Sequence, residues 1–346
     1  MKILILKPSS LGDVIHALPV LRLLKAHRPE AEVCWWIEAG LRPLLADDPD
    51  LAHVFPFHRD RWAAPGHWGE IARVIRGMRA RSFDVAIDLQ GLARSALFTW
   101  AAGAALKIGF DNAPEGSREG ARAAYDLVPP PLPPGSHAVD RCLSVLPLLG
   151  VPVHRNFVWL PERPRVAAQL RDRWPVAGAR WITLLPGARW DNKRWPVGHF
   201  QELTRLLLAA LPDVKISILG GKVDAPLGAA IASIQPERCL DLCGRTSLPE
   251  MVEWLRLSEL VITNDTGPMH VAAALGRPVI ALFGPTAPSR TGPYGAGHDV
   301  MQVKHLSCVP CLKSRCTHPE ALACLHSLTP ASVSDLAVRR LGMAAR

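Results

Sequence analysis

The sequence predicts an α/β protein built as two doubly wound halves, each around a parallel sheet. Three observations predict it. Short, near-continuous apolar runs alternate with helix-length amphipathic runs along the chain, the pattern of strands buried on both faces. Two stretches echo one another: LPVLRLLKAHRPEAEVCWWI (18–37) and LTRLLLAALPDVKISIL (203–219) each read as a leucine-rich helix ending at a proline, then a strand. The chain has 346 residues, one large domain or two of ordinary size. Two such halves facing each other leave a cleft at the carboxyl ends of their sheets, where these folds hold ligands.

The first strand is expected over 3–7, where ILILK is apolar until its last residue. Two serines, a glycine and an acid follow, and a helix is expected over 14–27. Further strands are expected over 32–37 and 85–89. The stretch VPPPLPPGSHAVD (128–140) is the richest in proline and reads as a surface loop before the last helix of the first half. The boundary is expected near WLPERPRVA (159–167), giving domains over 1–165 and 166–330 and a C-terminal helix over 331–346. In the second half, strands are expected over 181–185, 215–219, 260–263 and 279–283, and helices over 199–210 and 249–257.

Composition bounds the function. The chain is 49% hydrophobic and 21% charged, normal for a globular protein with a proper core. A net charge of +9 favours polyanionic partners: nucleic acid, an anionic membrane surface or a phosphorylated substrate. The apolar run in MKILILKPSS is too short for a secretory signal, and no stretch approaches the roughly 20 apolar residues of a membrane span, so a cytoplasmic protein is expected. Cys34, Cys142, Cys239 and Cys243 are dispersed and are expected to be reduced, buried thiols. Lysine and arginine are spread over both halves without a basic stripe of stacking aromatics, which argues against a nucleic-acid module. No GxGxxG follows a strand and no GxxxxGK[ST] occurs, which argues against a dinucleotide oxidoreductase and a phosphate-loop NTPase.

Three motifs carry chemistry. KPSSLGDVIHALPVL (7–21) places Asp13 at the mouth of a helix, either as a cap or first-turn acid or as a base facing a ligand. LVITNDTGPMHVAAALGRPVIALFGPT (260–286) puts Asp265, Thr266 and Gly267 at a helix N-terminus, where amide N–H groups and the positive helix end suit a diphosphate. Asp265 also reads as an N-cap, and His270 as a packed core histidine. LLPGARWDNKRWP (184–196) places Lys193 in a loop after a strand, either solvated or neutralising phosphate charge.

Together these motifs resemble the ADP-heptose–lipopolysaccharide heptosyltransferases of glycosyltransferase family 9, over roughly residues 1–330, and the opening is most like the heptosyltransferase I type. The resemblance implies a GT-B fold: two Rossmann-like domains facing a central cleft, the N-terminal one for the acceptor, the C-terminal one for the nucleotide sugar, with the final helix packing back on the first. It implies an inverting transfer of heptose from ADP-heptose to the Kdo or inner core of lipopolysaccharide, with no cofactor required for catalysis. It also implies peripheral association with the cytoplasmic face of the inner membrane. By the same resemblance Asp13 is the general base. Ser9, Ser10 and Gly12 shape its loop, and Lys193, Asp265, Thr266, Gly267 and His270 hold the donor. Some members carry a glutamate after the strand ending here in ILGG. This chain reads GGKVDAPLG, so Asp224 takes that place and other nucleotide-activated heptoses or hexoses stay open.

On the acceptor side, residues 58–84 carry six arginines against Asp60, Glu70 and Asp84. They read as a solvated helix face or as a patch for phosphates and acidic sugars, with Arg59 and Arg61 as candidates and Trp62 and Trp68 as sugar or membrane-interface contacts. Gln90 and Arg94 follow a strand, and Arg94 is favoured over the patch arginines. Finally, Cys308-x2-Cys311-x4-Cys316-x7-Cys324 has spacing that suits a structural zinc or iron site bracing a loop, or stays as free thiols. Two alternatives remain: a GT-B transferase using another nucleotide sugar or acting on the second heptose, and, more distantly, a nucleic-acid-binding protein with a four-cysteine metal site.

Overall fold

In a computed structural model, which describes residues 1–62, 65–111, 119–176 and 178–344, the chain divides into two units, Met1–Pro161 and Glu162–Arg346. The boundary falls at Pro161 rather than at 165.

The first unit is built on β1 (Lys2–Leu6), β2 (Glu32–Glu38), β3 (His53–Phe57), β4 (Val85–Asp88) and β5 (Leu106–Ile108), in the order β3-β2-β1-β4-β5. Every pairing is parallel, with Ile3 opposite Val33 on one side and Val85 on the other. The strand order reverses between β1 and β4, and the crevice at such a reversal is where open α/β sheets bind ligands. The loop leaving β1 carries Ser9 and Ser10 and runs into the helix that holds Asp13, and the loop leaving β4 carries Gln90. The helix Leu11–His27 is buried along most of its length, as an interior helix must be when it is apolar all round. It packs on the helix Ala138–Leu143.

Arg22 anchors that helix from below. Its guanidinium is 7% exposed, holds Asp48 through both terminal nitrogens and reaches Asp50 at 2.6 Å. Asp48→Ala leaves a buried cation with one remaining acid, so a loss of about 3 kcal/mol is expected. Urea unfolding reads it as a lower midpoint at unchanged slope.

The basic stretch does not place Trp62 at the surface, as its sequence suggests. Trp62 is buried, stacked on Phe98 at 5.8 Å and 13° and set edge-on to Phe57. It belongs to an aromatic core with Trp36, which takes its ring away from the surface role expected of it. Within the arginine-rich stretch, Arg59 and Arg61 lie on the short helix Arg59–Trp62 and Arg73, Arg76 and Arg79 on the helix Trp68–Arg79, and a further helix, Ala93–Ala101, follows β4.

The second unit contains β6 (Arg180–Leu185), β7 (Val214–Ile218), β8 (Cys239–Asp241), β9 (Leu260–Asn264), β10 (Val279–Phe283) and β11 (Asp299–Gln302), in the order β11-β10-β9-β6-β7-β8. All are parallel. Here the order reverses between β6 and β9, and the loops after them carry Lys193 and Asp265. The last helix is Pro330–Ala344. Val333, Ala337 and Leu341 recur every four residues, so they form one apolar stripe. That stripe enters the core of the second unit against the helix Val197–Ala210. Residues 345 and 346 of the expected helix lie outside the described residues. Among the described residues no helix is long and apolar enough to cross a membrane.

Candidate functional site

In the first unit, the reversal between β1 and β4 opens into a cavity of about 260 Å³ lined by Lys7, Asp13, His16, Gln90, Phe110 and Arg141, with Cys142 at its wall. Asp13 and His16 are three residues apart on one helix and therefore share a face. Ser10 is the N-cap residue and Asp13 the third helical position. Asp13 Oδ2 accepts the Ser10 N–H at 2.9 Å and the Ser10 hydroxyl at 2.7 Å. That bond accounts for one carboxylate oxygen. The other, Oδ1, lies 3.8 Å from Lys7 Nζ, and the side chain is 44% exposed. The capping reading and the ligand-facing reading therefore apply to different oxygens of one carboxylate. Lys7 is 6% exposed and donates to the Leu89 carbonyl at 2.7 Å, which fixes its charge beside Asp13.

The helix Ala138–Leu143 brings residues the sequence reading did not single out. His137 caps the helix Ala138–Leu143, its Nδ1 accepting the Val139 N–H. Its ring meets His16 edge-on at 5.4 Å. Arg141 is on the same helix. Burial pushes the Cys142 thiol up, with Lys7 and Arg141 opposing. The loop after β4 is held by Asp88, fully buried, which accepts the Gln90 N–H at 2.8 Å, the Gly91 N–H at 3.1 Å and the Tyr125 hydroxyl at 2.7 Å. Burial pushes the Asp88 carboxyl up against these bonds, and the Tyr125 phenol is pushed up by burial and by Asp88. Gly109 permits the arrangement: a Cβ there would lie 2.4 Å from the Tyr125 ring. Gln90, positioned in this way, keeps a buried Oε1 with no hydrogen-bond partner among the described residues.

In the second unit, Lys193 Nζ donates to Asp265 Oδ2 at 2.6 Å and lies 4.6 Å from the centre of the Trp190 ring. Thr286 donates its hydroxyl to the same oxygen at 2.6 Å. Asp265 is 7% exposed. The N-cap of the helix Gly267–Ala274 is Thr266, so Asp265 is not the cap: it holds Lys193 at the mouth of that helix. Pro268 has no N–H, which leaves the Thr266 and Gly267 amides as donors at this end. His270 is buried within the helix. Asn264 ties the loops together, accepting the Trp195 N–H and donating to the Pro186 carbonyl.

Asp224 is nine-tenths buried, and its Oδ2 accepts the Gly221 N–H at 2.9 Å. Gly187 passes so close that a Cβ there would lie 2.6 Å from the Asp224 carboxylate. Gly187→Ala must therefore push Asp224 off Gly221. A loss of about 1–3 kcal/mol is expected, measured as a lowered urea midpoint.

Other expected residues lie elsewhere. Arg59 bonds Ser9 and pairs with Glu38 at 3.2 Å, so it steadies the loop before Asp13. Arg61 pairs with Glu70. Arg94 is exposed with its guanidinium 5.2 Å from the Phe57 ring centre, and the arginine lining the cavity is Arg141 instead. Gly12 is buried in the first helical turn. Cys308, Cys311, Cys316 and Cys324 line one small cavity, and burial together with the neighbouring thiols pushes Cys324 up. Among the described residues, however, no three such ligands close into a group that could hold a metal. Cys316 Sγ accepts the Leu322 N–H, and Cys324 Sγ lies close to Gly284.

The profile of glycosyltransferase family 9 (heptosyltransferase) matches residues 71–322. The chain belongs to this family. It is a glycosyltransferase, and its two parallel-sheet units are of the GT-B class. It is 31% identical to lipopolysaccharide heptosyltransferase 1 of Pseudomonas aeruginosa, over 92% of this chain and 88% of that one. It is 29% identical to lipopolysaccharide heptosyltransferase 2 of Escherichia coli, over 85% of each. The structure of E. coli heptosyltransferase WaaC with ADP matches with a TM-score of 0.77 and 26% identity, over 98% of this chain and 100% of that one.

Proposed function

We propose that this family 9 enzyme transfers heptose from ADP-heptose to a Kdo sugar of the lipopolysaccharide inner core, with inversion, and that Asp13 is the general base. The observation that carries the reading is the first-unit cavity: one carboxylate oxygen of Asp13 beside the buried Lys7 ammonium, with Arg141 and His16 on the walls. Fixed cations around a base suit a sugar acid, whose carboxylate they neutralise while a hydroxyl meets Asp13. The Gln90 Oε1 offers an acceptor for a second hydroxyl. The family supports heptosyl transfer, and the ADP in the WaaC structure supports an adenosine diphosphate donor.

In the transfer, Asp13 takes the proton of the acceptor hydroxyl as its oxygen attacks the anomeric carbon. The bond from that carbon to the β-phosphate oxygen breaks, and ADP leaves with the electron pair. Attack from the face opposite the leaving group inverts the centre. Charge grows on the diphosphate as the bond breaks. Lys193, the Thr266 and Gly267 amides and the helix dipole then neutralise it. Asp265 and Thr286 act through Lys193 as positioning residues. Peripheral work at the inner membrane follows from a lipid-linked acceptor.

ADP release from ADP-heptose, with Kdo-terminated and heptose-terminated acceptors in parallel, tests the acceptor. Release only with the Kdo acceptor is expected. Release only with the heptose-terminated acceptor would move the enzyme to the second heptose.

A further inference from the structure

We infer that the two helices Trp68–Arg79 and Ala93–Ala101 of the first unit form the surface that docks on an anionic lipid bilayer, with Trp68, Leu97 and Trp100 entering the interface and arginines meeting the headgroups. The inference rests on the proposed lipid-linked acceptor and adds the surface that reaches it.

The second helix divides cleanly. Ser95, Ala96, Phe98 and Thr99 are buried, while Leu97 is 58% and Trp100 62% exposed, with Arg94 on the same outward side. Residues 94, 97 and 100 are three apart and form one stripe. A soluble helix ordinarily carries polar residues on such a face. Trp68, at the start of the first helix, is 70% exposed. Two contacts place the helices side by side. Arg79 Nε donates to the Ala101 carbonyl at 2.7 Å, and Trp62 reaches Glu70 with its ring N–H while stacking on Phe98.

Charge selects the partner. Arg73 and Arg76 are exposed on the first helix, and its one acid, Glu70, is already paired with Arg61 and bonded by Trp62. Burying tryptophan and leucine without charge would equally suit a protein groove, but arginine around tryptophan matches the headgroup level of an anionic bilayer. The tryptophan rings lie among acyl and glycerol groups, and the guanidinium groups bind lipid phosphates.

The test is cosedimentation with vesicles free of lipopolysaccharide, either phosphatidylglycerol mixed with phosphatidylethanolamine or phosphatidylcholine alone. The wild type is expected to sediment with the anionic vesicles and to be released by high salt. The double variant Leu97→Ser/Trp100→Ser, and separately Trp68→Ser, should lose about tenfold in partitioning. Their transfer rate on a deacylated, water-soluble acceptor should equal the wild type's. Their rate on the same acceptor embedded in anionic vesicles should fall. Equal partitioning of wild type and double variant would overturn the inference. So would a wild-type dimer that the double variant dissolves without any vesicle binding, or loss of RNA binding in place of vesicle binding. Failure of the wild type on the water-soluble acceptor would count against the proposed function and leave the vesicle result intact.

Discussion

Asp13→Asn retains the fold and ADP binding and loses transfer by about a thousandfold, the size of a positioned general base. The amide keeps an oxygen that accepts the Ser10 N–H and hydroxyl, the two bonds the carboxylate makes on the helix side. What it loses is the ability to take a proton at the oxygen facing Lys7. Thermal unfolding should therefore move little, by less than about 1 kcal/mol, since the cap persists and the Lys7 contact is long and partly solvated. The pair of measurements separates the two roles of this residue. A variant that unfolds earlier but transfers normally would make Asp13 a helix cap alone.

Lys193→Ala is expected to lower kcat by about a hundredfold or more, with a smaller change in ADP affinity. The diphosphate gains charge as it departs, so a cation beside it is worth more in the transition state than in the bound donor. Lys193 is held for this: its ammonium sits between Asp265 at 2.6 Å and the face of Trp190. Asp265→Asn keeps a hydrogen-bonding oxygen for Thr286 and Lys193 but removes the charge that holds the ammonium. A smaller loss is expected there, read as a split of kcat from KM. If Lys193→Ala weakens ADP binding and kcat equally, the lysine contributes uniform binding only.

Much of this arrangement is legible in the sequence because it lies within single motifs. The apolar runs give the inner strands of both sheets, Asp13 stands in the first helical turn after β1, and the loops leaving β6 and β9 carry Lys193 and Asp265. What the sequence hides is pairing at a distance. Arg141 reaches the Asp13 cavity from a helix more than a hundred residues on, after a proline-rich loop, and His137, the cap of that helix, meets the His16 ring; no periodicity links them to Asp13. Thr286 meets Asp265 from beyond the next strand. Asp265 reads as a cap because caps are acids before helices, yet Thr266 takes that position and frees the carboxylate for Lys193. The β3 strand HVFPF contains a proline and escapes a strand reading. It is the edge strand of its sheet, where a missing N–H is tolerated. Trp62 reads as a surface aromatic among arginines, but its ring completes the Trp36–Phe57–Phe98 core.

Heptose transfer with inversion to a Kdo-terminated acceptor is read from the mass and anomeric configuration of the product formed from ADP-heptose and a Kdo-terminated lipid A acceptor. A mass gain of one heptose is expected, joined with the anomeric configuration opposite to that of the donor. Retention of the donor configuration, or no gain in mass while ADP-heptose binds, would contradict it.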